Sequence, residues 1–191
     1  MQLRDWIIDE HAAVLSRFEQ SIVATVPLER WTDPAGDGGS SIAWLTFHTA
    51  LHEDLAVNAV LRRIDTTVLD AHRSELGLDT NPVAVGLGEA EQPELTAVLD
   101  LERLPHYVRA VHECTAGWLR GLDDATLAGG DARGPDGLVR AGIDEADVPW
   151  LYRMWDGKPA AWFVQWEAIG HRVNHLGEMV SVRNRLGLSP F

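Results

Sequence analysis

Cysteine is almost missing from this chain. Cys114 is the only one in 191 residues, which excludes an internal disulfide and, with no CxxC companion, a thiolate metal knuckle. Cys114 falls in an apolar helical pattern and reads as a small buried hydrophobe. Positive charge is scarce too. Lys and Arg number 16 against 29 Asp and Glu, a formal net charge of −13. Such a surface repels nucleic-acid phosphates and anionic membranes, so neither is an expected partner. No apolar run is long enough and free enough of charge to span a bilayer. Residues Met1 to Trp6 lack the basic start, apolar stretch and cleavage site of a secretory signal, so the expected location is the cytoplasm. A phosphate loop, a dinucleotide fingerprint and a nucleophilic triad are absent, and with them the expectation of a nucleotide cofactor. There is no internal repeat and no low-complexity tract.

The composition, 46% hydrophobic and 24% charged, is that of one globular domain over residues 1–191. Four segments carry helical periodicity. The first runs from Leu3 to Val26, with Leu3, Trp6, Ile7, Val14, Phe18 and Ile22 on one stripe, and stops at Pro27. Turn signals follow at Asp33-Pro34 and Gly38-Gly39. The second starts at Ser40 or Ser41, both good N-caps, and reaches about Arg63. Its inward stripe is Trp44, His48, Leu51, Leu55 and Ala59. A long connection, Asp65 to Pro93, carries a short helix around His72. The third helix spans Asp100 to Leu122, with Pro105 tolerable if the helix starts slightly later. Residues Asp123 to Pro159 read as an irregular loop with a small hairpin, whose Trp150, Tyr152 and Trp155 pack over one end of the bundle. The fourth helix runs from Ala160 to Leu186 and stops at Gly187. The expected fold is therefore all-α: a four-helix bundle with one long crossover connection and a long irregular loop before the last helix.

Histidine and tryptophan are both plentiful, at 8 each. His171 and His175 are four residues apart on one helical face, near enough to grip one ion. At about 100° per residue, they cluster with Glu178 and Val182, beside Val164 and Ala168. Trp162, Trp166, Ile169, Val173, Leu176 and Val180 form an opposite stripe. The histidine face is expected to look inward, and the tryptophan stripe to meet a partner helix or a second copy, a route to homodimerisation. His48, from the second helix, supplies a third nitrogen. Three imidazoles leave coordination positions open for water or substrate. His52, one turn beyond His48, reads as solvated, with a competing ligand or a proton shuttle as alternatives. Glu53 and Glu178 are either acceptors that orient a ligand imidazole or plain surface carboxylates. His11, His72, His106 and His112 have no partner at metal spacing.

Two blocks resemble the DinB-like superfamily of metal-binding bundles, which includes mycothiol- and bacillithiol-dependent transferases and maleylpyruvate isomerases. One is Trp44-Leu45-Thr46-Phe47-His48-Thr49-Ala50-Leu51-His52-Glu53. The other is His171-Arg172-Val173-Asn174-His175-Leu176-Gly177-Glu178, followed by Arg183 and Gly187-Leu188-Ser189-Pro190-Phe191. The resemblance implies a divalent metal, zinc first and nickel or manganese as alternatives, on His48, His171 and His175. It implies an enzyme that presents a small-molecule thiol, mycothiol-like, to a small electrophile. The same centre would suit a hydrolase, and a non-catalytic metal-binding bundle acting through stability, sensing or interaction is the further alternative. The loop from Asp123 to Pro159 is longer than in a minimal member of that superfamily.

Overall fold

The computed structural model describes residues 3–34, 36 and 39–190. Gly38 of the Gly38-Gly39 turn signal and Phe191 of the C-terminal block lie outside them. The described chain is helical, with no strand beyond one isolated bridge between Asp131 and Pro159.

Helix α1 (Leu3–Phe18) widens into a π segment, Glu19–Val23. Helix α2 (Ile42–Asp54) is capped by the Ser41 hydroxyl, which accepts the Trp44 N–H, and also widens into a π segment, Leu55–Leu61. Every residue of α2 is buried, so it is the central rod. A short α3 (Val68–His72) and α4 (Gln92–Val98) punctuate the crossover. Helix α5 (Leu104–Arg120) takes Pro105 in its first turn, where the missing N–H has no intrahelical role. The last rod is built from α9 (Ala160–Trp162), a π segment (Phe163–Gly170) and α10 (His171–Arg185) in succession. α2 packs against α5 and α10, and α1 against α5. This is the four-rod layout that the periodicity predicts.

Two expectations need correction. The stretch before the last rod is not an irregular loop with a hairpin. It folds as α6 (Asp124–Leu127), α7 (Gly134–Arg140) and α8 (Pro149–Trp155). The residues that suggest loop are helix starters: Asp123 caps α6, and Pro135 and Pro149 occupy first turns. The packing role holds, since Trp155 is fully buried and Tyr152 is buried, although Trp150 stays exposed. Cys114 is also not a buried hydrophobe. It is half-buried, with Sγ 2.8 Å from Arg62 Nη1 and 3.4 Å from Asn58 Oδ1.

On the last rod the histidine face does look inward: Val164, Ala168, His171, Met179 and Val182 are buried. The opposite stripe is less regular than a steady 100° step implies. Leu176 joins the core, while Val173 is 37% exposed. A π segment adds a residue to the turn, so it shifts the helical phase between Trp162 and His171. Among the described residues no helix is long and apolar enough to cross a membrane.

The inward stripe of α2 yields a direct test. Leu51 is 1% exposed, so Leu51→Ala should cost about 2–5 kcal/mol. Val173→Ala, on the outer face of α10, should stay within about 0.5 kcal/mol. Urea unfolding followed by circular dichroism measures both.

Candidate metal centre

The α2 and α10 rods bring His48, His171 and His175 together. One ligand atom from each lies within 4.8 Å of the other two, the convergence that the sequence predicts. His48 and His171 are buried and His175 is partly exposed. The Trp44 indole stacks on the His48 ring at 4.4 Å.

The outer nitrogens fix the rings. His48 Nδ1 lies 2.9 Å from the Gly86 carbonyl. A carbonyl only accepts, so Nδ1 carries the proton and Nε2 presents its lone pair. Gly86 reaches this position at φ +90°, and a Cβ there would meet the Phe47 ring at 2.5 Å, so the carbonyl depends on glycine. His175 Nδ1 is 3.1 Å from the Glu178 carboxylate, which assigns its proton in the same way. Glu178 thus accepts from His175 while remaining an exposed surface carboxylate, so it combines the two roles its position suggests.

His171 shows what is incomplete. Its Nε2 is 2.9 Å from His175 Nε2. Because His175 Nε2 is a lone pair, His171 must donate its own Nε2 proton to make that hydrogen bond. Its Nδ1 is then a bare lone pair, buried without a hydrogen-bond partner and 3.6 Å from the Glu167 carboxylate. A lone pair facing a buried anion is unfavourable. A cation at the Nε2 atoms removes the conflict, because the His171 proton can then sit on Nδ1 toward Glu167. The donor set therefore fits a divalent ion that favours imidazole.

Burial holds His48 in its neutral form, with a pKa of about 2, as the neighbouring His52 and His175 add to the effect. Burial likewise drives His171 far below the imidazole range, with His52, His48 and His175 contributing. Neutral imidazole is the form that ligates a metal.

His52 is not solvated. It is 1% exposed, with Nδ1 3.1 Å from Glu167 Oε2 and Nε2 buried without a partner. Its ring centroid lies 4.4 Å from that of His48 and 4.5 Å from that of His171. His52, Glu167 and His171 also have ligand atoms within 4.8 Å of one another. That set has a weaker claim to an ion, since Glu167 spends Oε1 on Trp155 Nε1 at 2.6 Å and Oε2 on His52. Glu167 and Trp155 escape a search for ligand spacing. The one cue is that Glu167 precedes His171 by a helical turn.

Glu53 is neither a surface carboxylate nor an acceptor for the three ligand histidines. It is fully buried, with Oε1 2.7 Å from His11 Nε2 and Oε2 2.6 Å from Arg172 Nη1. His11 stacks on His112 at 4.1 Å. So two histidines with no partner in spacing meet across α1 and α5 at a carboxylate from α2. Burial alone would raise the Glu53 pKa, but Arg172 and His11 hold it at about 2. His11, Glu53 and His112 are close enough to hold an ion, yet the Arg172 guanidinium already supplies the positive charge. Among the described residues, His72 and His106 do not join any cluster that could hold a metal.

No protein-family model and no curated protein matches the chain. The crystal structure of a conserved protein from Enterococcus faecalis is similar in fold, with a TM-score of 0.67, 21% identity and an alignment covering 98% of this chain and 99% of that one.

Two predictions follow from the charges. His48 and His171 have lower pKa values folded than unfolded, so the unfolded chain takes up protons first. Their contribution is complete above about pH 6.5 and is lost progressively as pH falls from there toward about 2, where folded His48 titrates. The urea midpoint of metal-free protein should be level above pH 7 and decline below 6.5, and His48→Ala with His171→Ala should flatten the decline. Separately, Arg172→Met strips buried Glu53 of its guanidinium partner and should cost about 3–5 kcal/mol, read by the same unfolding assay.

Proposed function

We propose that this protein binds one divalent ion, zinc by preference, through His48, His171 and His175. The observation that carries the reading is the convergence of three imidazoles within 4.8 Å of one another, two of them with Nδ1 held by an acceptor-only oxygen. Ligand histidines in metal sites are oriented by such acceptors. Zinc is favoured because neutral nitrogen donors in a buried pocket suit a borderline ion.

The activity proposed for the centre is thiol transfer. An ion on three imidazoles would supply an open position where a small-molecule thiol loses its proton more readily. The chain's own residues do the rest. Gly86 and Glu178 fix ring orientation, while Trp44, stacked on His48, excludes water from that side of the centre. The resemblance to DinB-like transferases supports a mycothiol-like thiol and a small electrophile as reactants. Burial of His48 and His171 supports a second reading, a structural ion with no reaction attached. The half-buried Trp162 and Trp166 are available to a second copy, and gel filtration tests that dimer.

Elemental analysis of protein purified without a histidine tag should find about one metal per chain. His171→Ala with His175→Ala should remove it. Transfer of a thiol to a model electrophile, lost in this variant while the fold persists, supports the enzyme. A fall in melting temperature, with no activity in the parent protein, supports the structural ion. A parent protein that takes up no metal defeats both.

A further inference from the structure

Two glutamates are fully buried in this protein, Glu53 and Glu167. A buried carboxylate needs positive charge or a full set of donors. Glu53 has a resident cation in Arg172, 2.6 Å away. Glu167 has none: among the described residues its ion-pair partners are two imidazoles, His52 at 3.1 Å and His171 at 3.6 Å. Its only other polar contact there is the Trp155 indole N–H at 2.6 Å on the opposite oxygen. Of these two buried glutamates, Glu167 is the one without a resident cation.

We infer that the counter-charge of Glu167 is the ion itself, and that Glu167 is the positioning residue for His171. The inference rests on the metal reading above. With the ion on Nε2, the Nδ1–H of His171 turns its dipole toward Oε2, and the carboxylate balances part of the divalent charge through the ring. Trp155 holds the carboxylate in place. Because Trp155 ends α8, the long insertion before the last rod contributes directly to the centre. His52 holds Oε2 alone when no ion is present, because the His171 proton then lies on Nε2.

The test is Glu167→Gln, which keeps shape and hydrogen-bonding capacity but removes the charge. Zinc affinity, measured by competition with a chromophoric chelator, should fall about 10–100-fold. The metal-free variant should melt at or above the temperature of the metal-free parent, because an uncompensated charge has been removed. A purely structural carboxylate makes the opposite prediction for metal-free protein. Cobalt-loaded Glu167→Gln should also show shifted ligand-field bands. Trp155→Phe, which keeps the ring packing and the charge but frees Oε1, should lower zinc affinity by a smaller factor. Unchanged zinc affinity in both variants, or a metal-free Glu167→Gln that unfolds more readily than the parent, overturns the inference and leaves the metal reading standing. A parent protein that binds no zinc overturns both.

Discussion

The buried His171 ring spends its Nε2 proton on His175 and turns a bare Nδ1 lone pair toward the Glu167 carboxylate, and the site depends on this one electrostatic conflict. Two Nε2 atoms sit 2.9 Å apart with a third imidazole beside them. Burial keeps His48 and His171 from resolving the conflict by taking up protons. A divalent ion would resolve it, and the outer nitrogens of His48 and His175 are held as such an ion requires. The surrounding helices hold these rings together.

The fold does this through a second, electrically complete cluster. Glu53, next in sequence to His52, pairs with Arg172, next in sequence to His171. The pair therefore fixes α2 against α10 one residue away from the histidines. Through Glu53 the cluster extends to His11 on α1 and to His112 on α5. All the main rods meet at this network.

The α-helical class, the main rods and the inward face that carries His171 and His175 were legible in the sequence, because each rests on strong local signals. The Ser41 cap, the stripe through Trp44, His48 and Leu51, and the His171–His175 spacing all act within a few residues along one helix. What was not legible depends on contacts between rods. His11 and His112 gain meaning only when α1 and α5 meet α2. His52 reads as an edge residue on an isolated helix and becomes buried only when α8 covers it. Helices α6 to α8 were hidden because aspartate and proline signal both loop and helix start. The π segment before His171 shifts helical phase in a way that no fixed period anticipates.

The account is tested most directly by anomalous scattering at the zinc edge from a crystal of zinc-loaded protein. It predicts one strong peak about 2.0–2.1 Å from the Nε2 atoms of His48, His171 and His175. A peak seated instead on His52 and Glu167, or no ordered peak near any of these rings, would contradict it.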